Sequence, residues 1–268
     1  MALMPSPRDW ELARTDVLKG LRTWESWYLL GISDIRQRYK RSRLGQFWIT
    51  LSMGIFVGGL GFVYAYLFKQ NVSEYMPYLA VNFVVWTLIS GIVLDSTGTF
   101  VQASVYLTQD ALPRSIFAMR ILVRNLVASA HNFIIIPIVF LVFGIVPSPV
   151  ALLAIPGLIL LVIAAFFVTL LLGVICTRFR DMTQIVQNLI QMAFFITPVM
   201  WRPEQLGSAW YIIVFNPFAA FLKIVTDPLH GQVPINMVYY MVLASIVFLF
   251  VVTMIVFARF RARIVYWL

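Results

Sequence analysis

RQRYKRSRLGQFWITLSMGIFVGGLGFVYAYLF, residues 36–68, decides the fold. Five basic residues (Arg36, Arg38, Lys40, Arg41 and Arg43) run directly into residues 47–68, which carry no charge. At a rise of about 1.5 Å per residue, a helix of that length crosses a hydrocarbon layer of about 30 Å. The cations cannot follow it, because a charge at the bilayer centre costs about 2.5–3.5 kcal/mol even on the lenient scale. They stay on the side where synthesis began and set the direction of every later crossing.

The rest of the chain agrees. It is 61% hydrophobic and 12% charged, where soluble domains are about a quarter charged. This predicts an all-α integral membrane protein. The formal charge of +9 would suggest nucleic acid in a soluble chain. Here the basic residues flank apolar runs, so they read as topology signals and contacts for anionic membrane lipids, and no nucleic-acid partner is expected. One cysteine, Cys176, excludes an intramolecular disulfide and a cysteine metal cluster. No cleavable signal is expected, because the first apolar run is too long and too late for one.

Residues 1–21, with Pro5 and Pro7, read as a flexible lead-in. Trp24, Trp27, Tyr28, Ile32, Ile35 and Tyr39 then form one helical stripe, with cations mostly off it, as expected of an amphipathic helix lying in the membrane interface. In the first span Gly54, Gly58 and Gly61 fall at i, i+4 and i+7, a spacing that lets two helix backbones approach. The partner helix lies either in a second copy or in the same chain. A second span is expected over 78–97, a third over 121–146 with a kink at Pro137, a fourth over 150–176 and a fifth over 185–200. Asp95 and His131 are ionisable groups within such runs, both read as structural. Gln184, Gln187, Asn188 and Gln191 share one face of the fifth span. Four amides are unfavourable against lipid and should meet other helices or a water-accessible path. The apolar run 210–225 is too short for a span and is broken at Asn216-Pro217, which predicts short re-entrant helices before a sixth span over 236–258.

Six spans put both termini on one side. That side holds 17 of the 20 lysines and arginines, the other only Lys69, Arg202 and Lys223. The positive-inside rule therefore predicts cytoplasmic termini. Three parts follow: 1–46, cytoplasmic with the interfacial helix; 47–258, the six-span domain; and 259–268, a basic cytoplasmic tail. There is no G-x-x-x-x-G-K-[ST] phosphate cradle, no H-E-x-x-H, no D-x-D, and no string of buried acids. The chain reads as no enzyme and binds no cofactor of its own, so any transport it performs draws its energy from elsewhere.

The stretch Tyr39-Lys40-Arg41-Ser42-Arg43-Leu44-Gly45-Gln46-Phe47-Trp48 resembles the permease subunit of type-2 ABC exporters. Leu112-Pro113-Arg114, Arg178-Phe179-Arg180-Asp181, Thr197-Pro198-Val199-Met200-Trp201 and Asn216-Pro217 add to the likeness. Within that superfamily the chain is similar to polysaccharide exporters, above all the O-antigen (lipopolysaccharide) export family. The resemblance implies a homodimer in the bacterial inner membrane with two copies of an ATPase subunit, which binds the ATP and magnesium. It implies an undecaprenyl-diphosphate-linked polysaccharide as cargo, threaded between the two copies. An ATPase-coupling helix is implied at about 109–120, with Gln109, Asp110, Leu112, Pro113, Arg114 and Phe117, and a smaller contact at Arg178, Arg180 and Asp181. Arg36, Arg38, Lys40, Arg41 and Arg43 would meet the diphosphate or ordinary lipid. Tyr64, Tyr66, Phe68, Trp86, Phe194, Phe195 and Trp201 would line the pore or form an interfacial aromatic belt, with Asn216 and Pro217 at the gate. The same scaffold could carry teichoic acid, a lipo-oligosaccharide or a small hydrophobic drug. A membrane-embedded glycan-modifying enzyme is the reading from a different class.

Overall fold

The computed structural model describes residues 5–40, 45, 47–109, 112–204, 213 and 215–268. Arg41, Arg43, Gln46, Asp110 and residues 210–212 and 214 of the 210–225 run lie outside the described residues. Among the described residues every regular element is helical. In chain order they are α1 (Pro7–Arg22), α2 (Trp24–Tyr39), α3 (Phe47–Leu67), α4 (Val72–Ser96), α5 (Ser104–Gln109), α6 (Ser115–Phe133), α7 (Ile135–Val142), α8 (Ala154–Arg178), α9 (Met182–Ile196), α10 (Pro217–Leu229), α11 (Asn236–Phe260) and α12 (Ile264–Trp267).

Five stretches among the described residues are long and apolar enough to cross a membrane: α3, α4, α6 with α7, α8 with the turn before it, and α11 with its extension to Trp267. The protein is therefore a multi-pass helical membrane protein. Pro137 does interrupt the third stretch. Its ring meets the carbonyl four residues back, and α6 ends at Phe133 with α7 beginning at Ile135. The helix expected over 185–200 is α9. It has 15 residues, about 22 Å of helix, and stops where Thr197 takes an extended ψ of 138° before Pro198.

The lead-in is not flexible beyond Pro5. Ser6 accepts the Asp9 N–H at 3.3 Å and Asp9 Oδ2 accepts the Ser6 N–H at 2.9 Å. This is a reciprocal capping box with Pro7 in the first turn, where a missing N–H costs nothing. The prolines that suggested a loop are the start signal of α1. The second span also begins earlier than expected. Lys69 turns the chain in the left-handed region at φ 53°, and Asn71 caps α4 by accepting the Ser73 N–H at 3.3 Å.

The most buried span is α4. Leu79, Val81, Val84, Val85, Leu88 and Ile92 are all inaccessible or nearly so, and α3, α6, α8, α9 and α10 gather around it. The most peripheral span is α3. Its Gly61 faces Met76 of α4, in the space a side chain would need, whereas Gly54 and Gly58 face open space. The glycine series therefore splits: one member packs within the chain and two lie on an uncovered face. Gly61→Leu should cost about 1–3 kcal/mol through overpacking, read as a lowered thermal unfolding midpoint in detergent.

Candidate functional site

The basic end of the bundle is held by two ionic groups. The first centres on Asp16 of α1, whose side chain is 1% exposed. It accepts the backbone N–H groups of Arg114 (3.2 Å) and Ser115 (3.0 Å) and the Arg261 guanidinium at 2.7 Å. The Ser115 hydroxyl lies 2.8 Å from the Asp16 carbonyl and 3.0 Å from its carboxylate. A carboxylate belongs there, because the first turn of α6 offers unpaired N–H groups and the positive end of its dipole. Gly20 lies against the Ser115 side chain, so α1 sits directly on that turn. Burial, and then the like charge of Arg261, lower the pKa of Arg114, while Asp16 opposes them.

The second group joins α2 to the spans. Arg120 grips Asp34 with two bonds, Nε to Oδ2 at 2.7 Å and Nη2 to Oδ1 at 2.6 Å. Arg124 lies 3.5 Å from Asp34 and 2.9 Å from Asp95. Asn125 donates to Asp95 at 2.9 Å. Two acids and two bases from α2, α4 and α6 thus neutralise one another where apolar spans begin. Gly31 lets α2 approach, since a Cβ there would stand 2.8 Å from Val123. Part of the aromatic stripe expected to face the membrane interface is spent on this contact. Ile35 is buried, while Trp24, Tyr28 and Leu29 stay exposed.

The residues expected to couple to an ATPase fall into two sets. The short helix lies before Pro113, as α5, and Pro113 instead precedes the first turn of the third span. Phe117 is fully buried, with its ring 6.1 Å from Tyr106, so it supports α5 from beneath rather than presenting a face. Leu112, Pro113 and Arg114 are half-buried, and Gln109 is exposed with Val105, Tyr106 and Thr108. Arg120 sits over the Tyr106 ring at 5.7 Å. Arg178, Arg180 and Asp181 are exposed at the end of α8, and Arg178 covers the Trp267 ring at 5.4 Å. Arg36 and Arg38 are exposed on α2, and Lys40 is exposed just beyond its end.

The opposite end carries the residues expected near a pore mouth. Thr197 to Trp201 is pinned on three sides. The Tyr75 hydroxyl donates to the Met200 carbonyl at 2.6 Å, the Tyr78 hydroxyl to the Trp201 carbonyl at 2.8 Å, and the Asn216 amide to Thr197 Oγ1 at 3.0 Å. Asn216 also caps α10 by accepting the Phe218 N–H at 3.0 Å, with Pro217 in its first turn. Trp201 donates to the Phe195 carbonyl at 3.1 Å. Trp86 is only 4% exposed and packs on Phe194 and Phe218, so it is core and not lining. Tyr64 and Phe68 meet as a tilted pair 5.5 Å apart, and Phe68 meets Tyr75 edge to face at 6.0 Å. Tyr66 and Phe195 are two-thirds exposed.

Along α9, Val186 and Ile190 are buried while Gln184, Gln187, Asn188 and Gln191 are all exposed. Among the described residues the amide face is therefore left uncovered by other helices, and Phe195 continues it. Asp16, Asp34, Tyr75 and Tyr78 were not singled out from the sequence. Each draws its role from a partner some 85 or more positions away, which no local pattern records. Cys176 is buried, and among the described residues no group of His, Cys, Asp or Glu could hold a metal ion.

The model of the ABC-2 type transporter family matches residues 25–229. Two Klebsiella pneumoniae proteins, each named O-antigen export system permease protein RfbA, are 24% and 22% identical over 194 residues. A Myxococcus xanthus protein of the same name is 24% identical over 193 residues. Each alignment covers 70% of this chain and 74% of the relative.

Asp16→Ala should destabilise the chain by about 3–5 kcal/mol, because it strands Arg261 and two buried N–H groups. Arg261→Ala should cost less, since Asp16 keeps its N–H partners. Thermal unfolding of the two variants in detergent checks the order.

Proposed function

Since the chain belongs to the ABC-2 type transporter family, we propose that it is the permease half of an ATP-driven exporter of undecaprenyl-diphosphate-linked polysaccharide. The relatives are named as O-antigen export permeases, which supports the cargo class. The observation that carries the reading is the α9 amide face. It is exposed in the single chain, sits on an apolar helix, and cannot be satisfied by lipid. Two copies placed with these faces inward would enclose a polar path, with Tyr66 and Phe195 offering flat surfaces to sugar rings. In that arrangement α9 is the sixth crossing, and α10 is one arm of a re-entrant pair at the external mouth. Gly54 and Gly58 lie on an uncovered face that a second copy would meet.

Power would come from a separate ATPase pair docked at the basic, cytoplasmic end. The docking surface centres on α5, flanked by Leu112, Pro113 and Arg114, with Arg178, Arg180 and Asp181 as the smaller contact. Both termini lie on that side. The basic face of α2 would meet anionic lipid or the diphosphate.

Deletion of the gene should trap lipid-linked glycan in the cytoplasmic leaflet, and the intact chain with its ATPase should release it. A strain that exports its glycan normally without the chain would overturn the cargo. Val105→Glu and Tyr106→Ala should leave the complex hydrolysing ATP while export falls at least about tenfold, measured side by side in proteoliposomes. Full coupling in both variants would remove α5 from the contact. Gly58→Leu should shift the purified chain toward monomer on size exclusion.

A further inference from the structure

Two largely apolar helices each carry a polar stripe at the end opposite the basic one. Glu74, Tyr78 and Asn82 recur every four residues along α4, and Lys223, Thr226, Asp227 and His230 fall at i, i+3, i+4 and i+7 along α10 and its cap. Residues at these spacings share one helix face. Both stripes line one cavity of about 610 Å³, whose remaining walls come from the turn at 145–148 and the segment 198–204. That volume suits a small ligand. Ser73, Glu74, Glu204 and Gln232 line it and are exposed, so it opens to water, while Asn82 and Thr226 are each only 2% exposed. The wall is held in place: the Tyr78 ring stacks on His230 at 5.3 Å, lies 5.4 Å from the Arg202 guanidinium and donates through its hydroxyl to the Trp201 carbonyl.

We infer that this cavity is a binding site for a neutral saccharide, its hydroxyls shared between the α4 and α10 stripes and its C–H face on the apolar part of the wall. Three observations choose this occupant. The charges select against ions. Arg202 and Lys223 stand among Glu74, Glu204 and Asp227, and Lys223 already pairs with Asp227 at 3.1 Å. Burial, then the charges of Lys223 and Arg202, push the His230 pKa down to about 4 and leave the ring neutral. An anion meets three carboxylates there, and a cation meets two bases. The hydrogen-bonding groups run both ways: the carboxylates accept, Arg202 and Lys223 donate, and Asn82 does both. Hydroxyls alone match such a mixture. His230 Nε2 and Ser148 Oγ add two buried atoms with no partner among the described residues, and a hydroxyl suits the imidazole in either tautomer. The wall is also partly apolar, through Pro77, Phe140, Leu222 and Leu229. A sugar ring offers a C–H face to such a surface, and water does not. Neither α3 nor α9 lines the cavity, so the site is separate from the amide path and stands without it.

The full chain in nanodiscs is titrated with the methyl glycosides of glucose, galactose, mannose and rhamnose. Glucuronate, glucosamine and glucose 6-phosphate serve as charged controls. Binding is read by saturation-transfer NMR against nanodiscs without the chain, and by the thermal unfolding midpoint, which a ligand of the folded state raises. At least one neutral glycoside should bind saturably, and each charged control at least about fivefold more weakly, because its charge is desolvated without a net partner. His230→Phe keeps a ring beside Tyr78 and should weaken the binding about tenfold. Ser148→Ala, a change within a turn, should weaken it in the same direction. An oligosaccharide released from the host's lipid-linked glycan that competes more tightly than the glycoside would give the site to the exported chain, and weaker competition would give it to free sugars; either result supports a saccharide site. No saturable binding by any neutral glycoside leaves water as the occupant and overturns the site. Tighter binding of a charged control, or binding unchanged in both variants, overturns it as well. Neither readout uses export, so a failure here is distinct from a failure of the export reading.

Discussion

Two arginines at the start of a membrane span carry the architecture of the basic end. Arg120 and Arg124 stand where α6 meets apolar surroundings, and each is matched by a carboxylate from another helix: Asp34 from α2, and Asp95 from α4. An unpaired charge at that depth is costly, and removing one partner of a buried pair strands the other. These pairs keep α2, α4 and α6 together. The Asp16 group repeats the logic one turn nearer the surface, tying α1 and the C-terminal segment to the same helix. The spans are therefore fastened at this end by charge and along their length by apolar packing around α4.

At the opposite end the ion pair seen among the described residues, Lys223–Asp227, lies within one helix. The fastening there is done by phenolic hydroxyls and an amide on backbone carbonyls and a hydroxyl, at the segment where α9 gives out. These bonds leave the segment defined yet free of the desolvation cost that a buried ion pair carries. Between the two ends runs the exposed amide face of α9, where Gln184 donates to Asn188 at 3.3 Å and all four side chains stay exposed.

Much was legible in the linear order of residues. The apolar runs gave five of the six expected spans to within about six positions at their starts, Pro137 gave the break between α6 and α7, and Asn216-Pro217 gave the start of α10. Errors came where one residue type has two uses. Pro7 marks a loop in one context and a helix start in another, and the Ser6–Asp9 capping box decides between them. A coupling helix is expected across 109–120 with Pro113 inside it, but Pro113 stands beside the first turn of a span, and the short helix lies upstream. Phe117 looked like a contact residue and is core.

What the sequence determined by itself was the solvent. Uncharged runs bounded by arginines admit only a membrane, whatever the chain does there, because transfer free energy depends on residue type and length alone. What only the tertiary structure decided was pairing: which acid meets which arginine, which glycine is covered, and which aromatic rings face out. Those depend on groups some 85 or more residues apart in the chain being brought to about 3 Å, where hydrogen bonds form and ion pairs are strongest.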